Sequence, residues 1–174
     1  MKLSWSHKLF LRINESVGRN PRLDNFMVFA CKWLIYFIGI ILFIWLVAYT
    51  EGDFILKNVL FVIVVIAGSY GVSLVIGGIL RKPRPEIEIP EMKQLVYTLA
   101  SWKSFPSDHT NISFLMVFVA MILGLSIYLY IPLLLCAMLV AFGRVYCGVH
   151  YPRDIVGGFF LAVTVSLFVK YIIL

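Results

Sequence analysis

Charge is scarce in this chain. Of 174 residues only 9 are Asp or Glu and 15 are Lys or Arg, whereas 61% are hydrophobic. The mean hydropathy is +0.95. Soluble domains average roughly 45–50% apolar residues, so this composition belongs to a membrane bundle even though the length would suit one soluble domain. Polar residues are too sparse for the alternation that an outer-membrane barrel needs. The three cysteines, Cys31, Cys136 and Cys147, lie in apolar runs without metal-ligand spacing and read as reduced packing residues. With no cluster of cysteines or carboxylates, the sequence points to chemistry without a metal. The net charge of +6 fits anionic lipid or a phosphorylated substrate. Nucleic acid is not an expected partner, because the basic residues have no soluble domain on which to form a stripe. No signal peptide is evident, since the first apolar run starts too far in and lacks a cleavage site.

What the chain does have is apolar length. Runs cover about Met27–Tyr49, Phe54–Leu80, Asn111–Leu125, Tyr128–Val145 and Ile155–Leu174. Several reach the roughly 20 residues that a helix needs to cross about 30 Å of hydrocarbon. The expectation is an all-α polytopic transmembrane bundle, a single domain over residues 1–174 with about five spanning helices. Residues 1–24 are too polar to span, but Leu3, Trp5, Leu9, Phe10, Ile13 and Val17 recur at helical spacing among Lys2, Lys8, Arg12 and Arg19. That pattern predicts an amphipathic helix at the lipid headgroups. In the second run, Gly68, Ser69, Gly71, Ser73, Gly77 and Gly78 predict close helix contact and a central position. Between Glu86 and Lys103, Met92, Leu95, Val96, Leu99 and Trp102 predict a short interfacial helix. Lys32, inside the first run, is expected to snorkel toward the interface or pair structurally, with a functional role as the alternative.

Three polar islands interrupt the apolar runs: Arg81-Lys82-Pro83-Arg84-Pro85, Phe105-Pro106-Ser107-Asp108-His109-Thr110 and Gly143-Arg144 through His150 to Asp154. They follow runs two and four and precede runs three and five, so connectivity alone puts them on one side of the membrane. Ionisable groups at such depth are functional candidates. Arg84 and Arg144 can hold a phosphate bidentately. Ser107 suits the N-cap of the third run and Asp108 its first turn, where free N–H groups form an anion site. His150 and Asp154, four apart, suit an imidazole nucleophile held by a carboxylate. His109 is then left to protonate a departing oxygen. Arg153 is a further candidate phosphate contact, while Tyr146 and Tyr151 read as interface aromatics.

The islands resemble the three-part signature of the type-2 phosphatidic acid phosphatase superfamily. Pro106-Ser107-Asp108-His109 is similar to its P-S-G-H motif, with Asp108 for glycine. Arg144, His150 and Asp154 match S-R-x5-H-x3-D, with Gly143 for the serine. Arg84 and Pro85 match the end of K-x6-R-P, but Gly77 stands where the lysine should be, which leaves Arg81 or Lys82 as candidate substitutes. Within the superfamily the closest likeness is to bacterial undecaprenyl-diphosphate phosphatases. The resemblance implies hydrolysis of an isoprenoid lipid diphosphate to the monophosphate, recycling the carrier lipid for cell-wall synthesis. It further implies a phosphohistidine at His150, His109 as general acid, Arg84, Ser107, Arg144, Lys82 and Asp108 around the phosphate, and neither metal nor cofactor. A phosphatase of phosphatidylglycerol phosphate or phosphatidate would use the same residues, and a non-catalytic membrane binder or transporter is the third reading. Oligomeric state is not readable.

Orientation presents a conflict. The island-bearing side carries nearly all the lysines and arginines, and the other side carries Glu51 and Asp53. A plain charge count puts the site in the cytoplasm, but several of those bases are candidate phosphate ligands. The resemblance implies a site facing outward from the bacterial plasma membrane.

Overall fold

The computed structural model describes residues 4–52, 54–98 and 103–173. Lys2, Leu3, Asp53, Leu99, Trp102 and Leu174, which figured in the sequence reading, lie outside them. The described residues are helical, with no strand among them: α1 (Trp5–Asn14), α2 (Pro21–Lys32), α3 (Leu34–Tyr49), α4 (Phe54–Leu80), α5 (Pro85–Glu88), α6 (Asp108–Ile122), α7 (Ile127–Tyr146) and α8 (Pro152–Phe168), the last continued by a π-helical turn, Val169–Ile173. Helices α4, α7 and α8 with its π turn are long and apolar enough to cross a membrane, and α2 with α3 forms a fourth such unit bent by 50°. Leu, Phe and Ile side chains on these helices face outward, as lipid contact requires. The protein is an integral membrane protein.

The helix boundaries follow local chemistry. Asn20 caps α2 by accepting from Arg22 and Leu23 N–H, and Pro21 takes the first helical position. Pro83 and Pro85 end the path of α4, and Pro152 opens α8. The break at Trp33 turns the first apolar run from one span into a bent pair.

Helix α6 occupies the centre. Phe114, Leu115, Val117, Val119 and Ala120 are buried on it, and it packs against α3, α4, α7 and α8. At 15 residues it is only about 22 Å long, and protein rather than lipid surrounds it. The glycine-rich α4 was expected there and instead lies at the edge. Gly68, Gly71 and Gly78 face open space, and the buried residues are Val65 and the Ser69, Ser73 and Gly77 stripe. The polar Ser69–Asn111 pair, with hydrogen bonds of 2.8 and 3.1 Å, joins α4 to α6.

Two other expectations need correction. Helix α1 does form, but it docks rather than merely lying on the interface: Phe10 and Ser6 are buried, while Trp5 and Leu9 stay exposed. Asn14 both donates to the Lys93 carbonyl (2.6 Å) and accepts from its N–H (2.9 Å). That same bonding explains why residues 91–98 are not the predicted helix. Their backbone groups are claimed by other segments: Lys93 by Asn14, and Leu95 N–H by the Cys147 carbonyl at 3.1 Å. Met92 packs on Gly148, whose φ of +80° favours glycine.

Candidate active site

The three islands meet. Arg84, Asp108, His109, Arg144 and His150 line one cavity of about 1040 Å³. Its remaining walls are mostly apolar, from Ile35, Ile40 and Phe43 of α3, Ile66 of α4, and Ile112 and Met116 of α6. Ionisable groups therefore cluster at one part of a chamber that otherwise suits hydrocarbon.

His150 is held from several sides. The turn after α7 folds back so that the Val149 and His150 N–H groups donate to the Arg144 carbonyl at 3.0 and 3.2 Å. The Asp154 carboxylate sits at the N-terminus of α8, accepting the Tyr151 N–H at 2.8 Å. Its Oδ2 lies 3.7 Å from His150 Nδ1, too far for a direct hydrogen bond. Ser104 fills the gap: its hydroxyl donates to Asp154 Oδ2 at 2.5 Å and stands 3.5 Å from Nδ1. A hydroxyl that donates to the carboxylate must accept from the ring, which places the proton on Nδ1 and leaves the lone pair on Nε2. Burial, together with the Arg144 and Arg84 guanidiniums, pushes His150 down to about 4, outweighing the opposite pull of Asp154. The ring is therefore neutral at physiological pH.

The arginines are fixed through backbone carbonyls. Arg84 Nη1 donates to Val149 O at 3.2 Å. Arg144 Nη1 donates to Cys31 O at 3.2 Å, while its buried Nε has no hydrogen-bond partner among the described residues. Helix α7 approaches α2 closely enough that a Cβ at Gly143 would lie 3.1 Å from Cys31 N, which gives a packing reason for glycine where the signature has serine.

Ser107 caps α6 but does not line the cavity. It is buried, its N–H donates to the Asp154 carbonyl at 3.0 Å, and its hydroxyl accepts from Thr110 at 3.1 Å. Its side chain accepts from none of the first-turn backbone N–H groups, leaving those groups available. Two glycines of α8 seat this island: the Phe105 ring lies over Gly157, and a Cβ at Gly158 would lie 2.6 Å from Ser107 O. Lys82 is exposed and outside the cavity lining, so it is not brought to the cluster. Arg153 pairs instead with Glu88 (3.6 Å) and stacks on Tyr151. Exposed Lys32 does line the cavity, as does Tyr70.

Sequence reasoning missed Ser104 and Lys103. Ser104 adjoins the second island but belongs to no spaced pattern. Lys103 is buried, with Nζ 2.5 Å from Asp108 Oδ1 and 3.1 Å from Ser73 Oγ. Among the described residues no group of three or more His, Cys, Asp or Glu could hold a metal.

Relatives share this layout of chain. Undecaprenyl-diphosphatase BcrC of Bacillus subtilis is 30% identical over 175 residues, spanning 95% of this chain and 83% of that protein. Putative undecaprenyl-diphosphatase YbjG of Escherichia coli is 29% identical over 152 residues, spanning 86% of this chain and 73% of the relative. Among solved structures, LpxE of Aquifex aeolicus superposes with a TM-score of 0.78 over 98% of both chains at 24% identity. A transmembrane PAP2 type phosphatidylglycerolphosphate phosphatase of Bacillus subtilis gives 0.72 at 23% identity, over 97% of this chain and 86% of the other. Residues 58–174, which contain all three islands, match the PAP2 superfamily, and the chain belongs to that family.

Proposed function

We propose that this protein hydrolyses undecaprenyl diphosphate to undecaprenyl phosphate and inorganic phosphate, without a metal, at a site facing outward from the plasma membrane. The observation that carries the reading is the composition of one cavity: two imidazoles and two guanidiniums open into the same space as the apolar walls of α3, α4 and α6. A diphosphate on a long hydrocarbon tail has matching chemistry at each end. The similarity to two undecaprenyl-diphosphatases along most of the chain supports that substrate.

In the first step His150 Nε2 attacks the terminal phosphorus. A nitrogen–phosphorus bond forms as the bridging phosphorus–oxygen bond breaks, and the leaving lipid monophosphate takes a proton from His109. Burial and the nearby guanidiniums hold that ring's pKa down, so the negative charge of the bound diphosphate must raise it and bring His109 to the step protonated. Ser104 and Asp154 stabilise the positive charge that develops on the His150 ring. Arg84, Arg144 and the first-turn N–H groups of α6 stabilise charge on the equatorial oxygens, which is where most of the acceleration of phosphoryl transfer arises. In the second step water, deprotonated by His109, attacks phosphorus and releases phosphate and a neutral His150. The His150 ring is neutral before the first attack, as its depressed pKa requires.

The same groups would serve another lipid phosphate, and the fold is shared with a phosphatidylglycerolphosphate phosphatase. Phosphate release by the purified protein separates the readings. A panel of undecaprenyl diphosphate, phosphatidylglycerol phosphate and phosphatidate is assayed with and without EDTA. Preference for the diphosphate, undiminished by chelator, is expected. Preference for a monoester lipid, or loss of activity in EDTA, would overturn this reading.

A further inference from the structure

The first motif has no lysine, because Gly77 occupies its place, yet the space beside Gly77 is filled by a lysine from elsewhere. A Cβ at Gly77 would lie 2.6 Å from Lys103 Cε, 2.7 Å from Cγ and 2.8 Å from Cδ. The Lys103 stem thus runs across the bare Cα of Gly77, and a side chain at 77 could not coexist with it. Tyr70, Ser73 and Gly77 share one face of α4 at i, i+3 and i+7, and together they seat this lysine. Ser73 Oγ is 3.1 Å from Nζ, and the Tyr70 ring centroid is 5.7 Å away. Ser104 N–H donates to Lys82 O at 2.9 Å, tying the loop that carries Lys103 to the end of the first island. Neither neighbouring base does this: Lys82 is exposed, and Arg81, at a φ of +44°, donates back to the Gly78 carbonyl.

Lys103 meets the second departure of this chain as well. Asp108 lines the cavity, and its Oδ1 accepts from both Lys103 Nζ and Ser73 Oγ at 2.5 Å. An uncompensated carboxylate there would repel an incoming phosphate. We infer that Lys103 is a positioning residue for phosphate binding: from the loop before α6 it fills the space beside Gly77 and neutralises Asp108, so that the cavity accepts an anion. This rests on the phosphatase reading for its consequence in catalysis, but the binding of phosphate tests it separately.

The test uses the full-length protein and measures inorganic phosphate binding by thermal protection, alongside KM and kcat for undecaprenyl diphosphate. Lys103→Met keeps the hydrocarbon stem over Gly77 and removes the charge. It is expected to weaken phosphate binding and raise KM about tenfold or more, with kcat changed far less, as an unmasked Asp108 charge beside the bound phosphate implies. Lys103→Met with Asp108→Asn removes both charges and should recover most of that loss. A purely structural lysine would leave phosphate binding unmoved. Wild-type phosphate affinity in Lys103→Met, or a double variant no better than the single one, would overturn the inference. A wild-type protein that binds phosphate but hydrolyses no lipid would instead refute the catalytic reading, and phosphate affinity in the two variants would still decide the role of Lys103.

Discussion

Arg144 Nη1 donates to the Cys31 carbonyl at 3.2 Å, beside the point where the first apolar run breaks into two helices bent by 50°. The bend and the proposed anion site are therefore linked. One guanidinium nitrogen is bonded to the backbone of α2, and in the function proposed above the rest of the fork meets the phosphate. Lysine cannot divide itself this way, because its ammonium is a single point charge. Arg144→Lys should lower kcat/KM by roughly ten- to a hundredfold, the equivalent of about 1.5–3 kcal/mol for a hydrogen bond to a charged group. Steady-state kinetics on the purified variant checks this, and wild-type kcat/KM would remove Arg144 from the site.

The contact of α8 with the second island gives a packing prediction. Because a Cβ at Gly158 would meet Ser107 O at 2.6 Å, Gly158→Ala must move backbone rather than a flexible side chain. Overpacking of this kind costs about 1–3 kcal/mol. The variant should melt at a lower temperature in detergent and lose activity, since the displaced Ser107 precedes His109. Gly68→Ala, which meets nothing within 4 Å, should be close to neutral in both measurements.

The pH dependence of His150 follows from its surroundings. Burial and two guanidiniums hold its pKa near 4, against about 6.5 for a free histidine. Between those values the unfolded chain binds the proton first, so its contribution to stability is full above pH 6.5 and declines as pH falls toward 4. An NMR titration of ring-labelled histidine, with the signal assigned by its loss in His150→Gln, should show a neutral ring protonated on Nδ1 at pH 5.5. Ser104→Ala should perturb that tautomer signature without removing the resonance. A ring that titrates near 6.5 would contradict the electrostatic account.

Orientation can be read directly. Tyr97 is 82% exposed and lies at the cavity mouth. In a background with the native cysteines replaced, Tyr97→Cys should react with a membrane-impermeant thiol reagent in intact cells. Labelling restricted to broken cells would place the site in the cytoplasm, as the plain count of basic residues suggests.

Much of the candidate site was legible because its residues obey fixed spacings at helix ends. Arg144, His150 and Asp154 bracket one turn, and Arg84 and His109 sit where apolar runs stop or start. Apolar length likewise announced α4, α7 and α8. Lys103 and Ser104 were not legible, because their roles depend on a loop returning across α4 and α8, which no local pattern encodes. The predicted helix after Pro90 failed for a related reason. Met92 and Val96 have helical spacing, yet Asn14 and Cys147 capture the backbone groups that a helix would need. In the same way, small residues at helical spacing made α4 look central. Val65 and the Ser69, Ser73 and Gly77 stripe are its buried residues, and α6 holds the centre.

The account turns on nitrogen attacking phosphorus at one ring. Purified protein mixed with undecaprenyl diphosphate, quenched in base within a single turnover and digested for mass spectrometry, reports where phosphate is held. An acid-labile, base-stable phosphate on His150, absent from His150→Ala together with all turnover, is the predicted result. Phosphate on another residue, or substantial hydrolysis by His150→Ala, would contradict it.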